Sequence, residues 1–325
     1  MLSNEAIRQQ VENLLSQMTL EEKAAQMVQV PYTVVGREEA LRWAKLGAGS
    51  FLHVLGDDAR EVQQAALHSR LGIPVLFGID AIHGHGLNDH ATIFPSQLSC
   101  ACAWDKDIVR EMGEVTAREV ATDGLHWTFS PVLCLGRDTR WGRVDETFGE
   151  DPYLTGRMGA AYVKGMQGEG HYRKTANVLE HFAAHSGPEN GRLEWNTVVS
   201  DEDLQKTFLP AFAYCIQQAD PAGVMPAYNN FRGIPCCMNS YLLKEVLRNQ
   251  LGFQGFTESD AGEIEYSYKI QDQAKSLPEM AALCVKAGCD LSIGDANEGF
   301  AYDQILEFYY PGLTRTRYTM TRTLL

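Results

Sequence analysis

Leu251-Gly252-Phe253-Gln254-Gly255-Phe256 is a short apolar run that stops abruptly at Thr257-Glu258-Ser259-Asp260-Ala261-Gly262. Read locally, it is a buried strand that ends in a carboxylate, followed by a glycine and the start of a helix. The same arrangement recurs upstream. Ile73-Pro-Val-Leu-Phe-Gly-Ile79 ends in Asp80, Thr175-Ala-Asn-Val-Leu179 ends in Glu180-His181, and Gly223-Val-Met-Pro-Ala227 ends in Tyr228-Asn229-Asn230. Further β-prone runs lie near residues 26–30, 49–55, 127–135 and 289–293. Between most of these runs the pattern predicts helices, over Asp107–Thr122, Tyr153–Met166, Asp201–Gln218, Ser240–Asn249 and Leu277–Ala287.

Residues 5–25 predict an amphipathic helix carrying Val11, Leu14, Leu15 and Met18, and Thr19 with Glu22 spells a capping box that starts a second one. Strands that are apolar throughout, alternating with helices, indicate a parallel β/α architecture. About eight strands over about 300 residues fit a closed (β/α)8 TIM-type barrel better than an open doubly wound sheet. No G-x-G-x-x-G follows the first strand, which weighs against a dinucleotide fold. With no linker, repeat or low-complexity tract, residues 1–325 are expected to form one domain. The Thr/Arg-rich stretch Thr314–Thr323 reads as a poor terminal helix or a frayed end.

Composition narrows the function classes. A formal charge of −14 argues against a nucleic-acid partner, which needs a basic surface. The eight cysteines show no paired C-x-x-C spacing, and several lie in apolar runs where a thiol packs as a small hydrophobe. No apolar run reaches membrane-spanning length, and the N-terminus has no basic region followed by an apolar core. The expectation is a cytoplasmic protein, or a secreted one read without its leader.

Polar groups at successive strand ends converge on one face of such a barrel. That set is Asp80, His83, Arg137, Asp138, Arg140, Arg143, Glu146, Glu180, His181, Tyr228 and Asp260. It contains no nucleophile elbow and no phosphate-cradling glycine loop. His83, His85 and His90 near Asp80 and Asp89 invite a metal reading, but the spacing fits no zinc motif, and a glycine-rich turn explains His83-Gly84-His85-Gly86. No metal and no cofactor are therefore expected. Carboxylates, arginine and aromatic rings without a metal or nucleotide signature suit sugars: charged groups bind hydroxyls, and a carboxylate can attack an anomeric carbon. Each member also has a plainer role open to it. Arg137, Asp138 and Arg140 read equally as a structural ion-pair cluster, and His181 as a satisfied core histidine.

The motifs carry a resemblance. Gly78-Ile79-Asp80-Ala81-Ile82-His83-Gly84 with Ala91-Thr92-Ile93-Phe94-Pro95, then Arg137-Asp138-Thr139-Arg140-Trp141-Gly142-Arg143 with Glu146 and Gly149-Glu150-Asp151-Pro152, are similar to blocks of glycoside hydrolase family 3. His181-Phe182, Met225-Pro226-Ala227-Tyr228-Asn229 and Gly255-Phe256 through Ser259-Asp260 follow in family order, so the likeness covers roughly residues 10 to 300. It implies a (β/α)8 barrel that cuts β-linked sugars from a non-reducing end with retention of configuration. Asp260 matches the family's nucleophile. By the same resemblance Asp80 accepts bonds from sugar hydroxyls, Arg143 and His181 donate to them, and Tyr228 lies beside the nucleophile.

The sequence departs from the family pattern in ways that matter. Glu180 stands where lysine usually precedes His-Phe, which would set two carboxylates near each other if Asp80 is close. Ala261 replaces a common tryptophan, and Glu258 occupies a position that is usually apolar. Many members take their general acid from an α/β sandwich domain after the barrel, and that domain is expected to be absent. A bacterial branch carries it instead as an Asp-His pair on a barrel loop. The matching loop, His181-Phe-Ala-Ala-His185-Ser-Gly-Pro-Glu189-Asn-Gly-Arg192, lacks that pair, leaving Glu189 and Glu194 as candidates and the acid unassigned.

Two function classes are carried forward. One is a retaining exo-acting β-glycosidase, β-glucosidase before xylosidase, working through a glycosyl-Asp260 intermediate. The other is a sugar-binding or weakly active barrel without a general acid. An aldolase-like barrel would need a strand-end lysine, and none is present. The partner is a small carbohydrate, with self-association expected through the face a second domain would cover.

Overall fold

The computed structural model describes residues 4–168, 175–188 and 190–294. These divide into two compact units. The first holds the described residues up to Gly78, Cys237–Lys244 and those from Gln254 onward; the second holds Ile79–Cys236 and Glu245–Phe253.

The strands are buried rather than half-buried, which is why their sequences run apolar without alternation. Val28–Pro31, Ser50–Leu52 and Trp127–Val132 are buried at every position. In the first unit Val28–Pro31 pairs in parallel with Ser292–Ile293 on one side (Val28 opposite Ser292) and with Ser50–Leu52 on the other (Gln29 opposite Ser50). Ser50–Leu52 continues to Leu76–Ile79, with Ser50 opposite Leu76. Phe256–Thr257 joins Ser292–Ile293 through a parallel bridge between Glu258 and Leu291. In the second unit Trp127–Val132, Ala176–Phe182 and Gly223–Pro226 form parallel ladders, with Thr128 opposite Asn177 and Val178 opposite Gly223. These eight strands alternate along the chain with helices, which is the (β/α)8 class.

Polar strand side chains are partly paired inside the unit. Gln29 Nε2 donates to Ser50 Oγ at 2.8 Å, and Asn177 Nδ2 to the Ser130 carbonyl at 2.9 Å, so both amide nitrogens are satisfied, while Gln29 Oε1 and Asn177 Oδ1 are buried without a partner. The outer layer of the second unit rests on close helix contact. Helix Lys106–Thr122 packs against Pro152–Gln167, and a Cβ on Gly165 would lie 2.1 Å from the Arg110 carbonyl oxygen. Buried Tyr162, on that second helix, donates its hydroxyl to the Ala81 carbonyl at 2.7 Å, directly after Asp80. Helix packing and strand-end geometry are thus tied by one bond.

Several elements differ from the sequence expectation, each for a local reason. The N-terminal stretch is two helices, Asn4–Gln17 and Leu20–Ala25, and the Thr19–Glu22 capping box is present in full. Helices Tyr32–Leu46 and Gly56–Leu67 were not anticipated; Gly36, at φ +76°, interrupts the first of them and obscures its period. The single helix expected over Asp201–Gln218 is a short turn Asp201–Asp203, a wide turn Leu204–Phe208 and a helix Pro210–Ala219. Pro210 has no N–H to continue the helix, which breaks it there. All eight cysteines are free thiols. No helix among the described residues is long and apolar enough to cross a membrane. The Thr/Arg-rich tail lies outside the described residues.

Candidate active site

Asp260 belongs to the first unit, and Asp80, Arg143, His181 and Tyr228 to the second.

In the first unit, Asp260 follows the Phe256–Thr257 strand by three residues and is partly exposed. Its turn is fixed by main-chain bonds on both sides. Ser259 N–H donates to the Leu291 carbonyl at 2.9 Å, and Gly262 N–H to the Ile293 carbonyl at 2.9 Å. Glu263 N–H donates to the Asp260 carbonyl at 3.1 Å, and Ala261 N–H to Asp260 Oδ1 at 2.7 Å. That last bond turns one carboxylate oxygen back onto its own chain. Gly262, at φ +66°, takes the left-handed conformation that lets the helix Glu263–Lys269 begin at once. Glu258, whose orientation the sequence left open, is fully buried. Asp290, on the neighbouring turn, accepts from Thr257 N–H at 2.9 Å.

In the second unit, Asp80 is exposed immediately after the Leu76–Ile79 strand. His181 lies within the Ala176–Phe182 strand and is 1% exposed. Its Nε2 stands 2.9 Å from Glu180 Oε2, and its Nδ1 3.7 Å from Cys134 Sγ. Glu180 at the lysine position is thus a buried partner for its own neighbour. Arg143 forks onto Glu146, Nε to Oε1 at 2.9 Å and Nη2 to Oε2 at 2.8 Å, and its Nη1 lies 3.5 Å from His185 Nε2. Half-buried Tyr228 follows the Gly223–Pro226 strand, where Ala227 N–H donates to the Phe182 carbonyl at 2.9 Å.

His185 knits this set together. Its ring centroid lies 4.7 Å from His181, 5.4 Å from Trp141 and 6.4 Å from Tyr228. Burial, reinforced by the His181 and Arg143 charges, holds its pKa well below the usual histidine range, so it is a neutral imidazole at neutral pH. The sequence reading passed through His185 without giving it a role; its spacing of four from His181, on a loop leaving a strand, was the only signal. The first unit holds the other missed residue, Glu263, whose pKa burial pushes up to about 8, with the Asp260 charge adding to the rise. Its signal was the Asp260-Ala261-Gly262-Glu263 spacing, a pattern in which a glutamate reaches back to an amide three residues earlier.

Other members of the polar set have local duties. Arg140 bonds to Asp138, Nη2 to Oδ2 at 2.6 Å, and these bonds lower the Asp138 pKa to about 2. His83 Nδ1 sits 2.8 Å from the Phe94 carbonyl, and His85 Nε2 2.9 Å from Asp123 Oδ2. Gly84 between them has φ +111°, and a Cβ there would lie 2.1 Å from the Thr92 carbonyl oxygen, so the glycine-rich turn is a packing requirement. Among the described residues no group of three or more His, Cys, Asp or Glu is arranged to hold a metal ion. Glu194 is half-buried, and Glu189 lies outside the described residues.

Comparison with known proteins places these features in a family. Residues 19–313 match the glycosyl hydrolase family 3 N terminal domain. A periplasmic β-glucosidase of Salmonella typhimurium is 38% identical over 316 residues, 94% of this chain and 39% of that protein. A β-xylosidase of Formosa agariphila is 32% identical, over 90% of this chain and 37% of its own length. The crystal structure of a Listeria innocua β-glucosidase mutant with laminaribiose superposes with a TM-score of 0.86 at 33% identity, covering 98% of this chain and 46% of that one. The chain therefore spans less than half the length of these relatives. On the family match and these identities, the chain belongs to glycosyl hydrolase family 3.

Proposed function

We propose that this chain is the catalytic barrel of a retaining, exo-acting β-glycosidase, with β-glucosides ahead of β-xylosides as substrates. The observation that carries the reading is the Asp260 turn: a partly exposed carboxylate at a strand end, with its main chain held by three hydrogen bonds, to the Ser259 hydroxyl, the Glu263 carboxyl and the Glu263 N–H. A nucleophile must be fixed before the sugar arrives, because a small misplacement costs orders of magnitude in rate. In the proposed sequence Asp260 attacks the anomeric carbon, the aglycone leaves, and water releases the glycosyl ester with net retention. Asp80 and Arg143 bind hydroxyls of the sugar that is transferred to Asp260, Arg143 braced by Glu146. Tyr228 forms an aromatic wall, and His181 donates to the sugar on exchanging its bond to Glu180. The names of the relatives, β-glucosidases and a β-xylosidase, support the substrate class. The acid that protonates the leaving group is left unassigned, with Glu189 and Glu194 as candidates and one domain over residues 1–325 as the working organisation.

One observation favours the second reading, a sugar-binding or weakly active barrel. His181 is buried and its Nε2 already faces Glu180, so a hydroxyl has to compete with a charge-assisted partner. Intact-mass measurement after incubation with 2,4-dinitrophenyl 2-deoxy-2-fluoro-β-glucoside separates the two. Dinitrophenolate leaves without protonation, so the probe reports the nucleophile alone. A single glycosyl adduct mapping to Asp260 is expected. Saturable glucose binding with no adduct would leave the binding barrel in its place.

A further inference from the structure

The turn that presents Asp260 is gripped from behind by a second carboxyl group. Glu263 is fully buried at the start of the helix Glu263–Lys269. Its Oε2 accepts from Asp260 N–H at 3.1 Å, and its Oε1 accepts from Cys237 N–H at 3.2 Å. Its own N–H donates to the Asp260 carbonyl at 3.1 Å. One residue therefore holds both main-chain groups of Asp260 and ties them to a distant segment. A carboxyl buried without partners is costly, and here both oxygens are committed to amides. Neither oxygen is available to a sugar, so the group acts through Asp260 or not at all.

Resting on the reading of Asp260 as nucleophile, we infer that Glu263 is a positioning residue for the attack: it fixes the Asp260 main chain against Cys237 and thereby the direction of the Asp260 carboxylate. Its environment is consistent with that task. Burial and the neighbouring Asp260 charge favour a protonated Glu263, while the bonds from Asp260 and Cys237 oppose the rise. Cys237 is itself buried, with its Sγ 3.8 Å from that of Cys284, so the anchor is core rather than surface. Glutamine at 263 keeps an acceptor for one amide and sets an NH2 against the other, whereas alanine removes both.

The test is the rate constant for labelling by 2,4-dinitrophenyl 2-deoxy-2-fluoro-β-glucoside at saturation, on the full chain, with the folded fraction fixed by near-UV circular dichroism. The expected result is a loss of roughly tenfold in Glu263→Gln and roughly a hundredfold in Glu263→Ala, with the half-saturating probe concentration within about twofold of the parent. A purely structural role would lower the folded fraction and leave the rate constant of folded molecules unchanged, which overturns the inference. So would rescue of Glu263→Ala by azide, because that assigns Glu263 an acid–base role. If Glu263→Ala does not fold, Glu263→Gln decides; if neither folds, the residue is a folding element and the inference falls. A parent chain that takes no label removes the nucleophile reading and this inference together, whereas a labelled parent with unimpaired variants removes this inference alone.

Discussion

Two buried glutamates, Glu263 in one unit and Glu180 in the other, solve the same electrostatic problem in different ways. Glu263 spends both oxygens on main-chain amides, whereas Glu180 places an oxygen 2.9 Å from the imidazole of His181. A main-chain amide cannot rotate away or titrate, so the first arrangement fixes geometry. An imidazole can do both, so the second can be reset by pH or by a ligand hydroxyl. The Asp260 turn is thus rigid by construction, whereas the Glu180–His181 pair is adjustable.

The largest expected effect removes the group that the rigid region presents. Asp260→Asn should lower hydrolysis of 2,4-dinitrophenyl β-glucoside by about a thousandfold or more, some 4 kcal/mol of barrier, without altering the fold. Steady-state rates beside circular dichroism spectra check this. A variant that retains a tenth of the parent rate would break the reading of Asp260.

The next effect sharpens the contrast through pH. The folded-state pKa of Glu263 is raised from 4.5 to about 8. The folded protein therefore holds a proton there that the unfolded chain releases above pH of about 4.5. The stabilisation linked to this group is complete below that value and is lost as pH rises through about 8. The difference in pKa corresponds to a loss on the order of 5 kcal/mol across that window. The facing groups are Asp260 and Cys237, with Cys284 and Cys289 behind. Urea denaturation at successive pH values should show this decline in the parent and a flatter profile in Glu263→Gln. Parallel profiles would mean that the carboxyl is ionised throughout and held by its amides alone.

The contrast also marks how much the sequence could disclose. Strand ends are legible because apolar runs stop at charged residues, so Asp80, Glu180, His181, Tyr228 and Asp260 all lie at or just beyond the ends of strands. What a buried polar side chain does there is not legible, because it depends on partners distant in sequence. Glu180 was expected to influence Asp80, but its contact with the adjacent His181 was not foreseen. Glu263 reaches Cys237, a separation no local pattern encodes. The helix break at Pro210 was written in the chain and was missed because the apolar period runs on through it.

A smaller effect is expected at the adjustable pair. Glu180→Gln keeps an acceptor for His181 but removes the charge, which should cost about 1–3 kcal/mol of stability. The same change frees the imidazole for a sugar hydroxyl, so the Michaelis constant for an activated β-glucoside should fall while stability falls. Measuring both on one preparation separates this pair from Glu263, where loss of the carboxyl should leave the Michaelis constant nearly unchanged. A Michaelis constant that rises in Glu180→Gln would make the pair a rigid element like the Asp260 turn.

The smallest effect tests whether solvent exposure alone distinguishes the two styles. The Arg143–Glu146 pair is bidentate, but its side chains are 23% and 25% exposed, so water competes for both partners. Glu146→Gln should therefore change stability by less than about 1 kcal/mol. Its effect on sugar affinity should nevertheless be measurable, because Arg143 loses the fork that holds its guanidinium in one plane beside neutral His185. A few-fold rise in the Michaelis constant with an unchanged urea midpoint is the expected pattern. If the midpoint shifts by as much as in Glu180→Gln, the pair bears on the fold rather than on the sugar, and the adjustable region shrinks to Glu180 and His181.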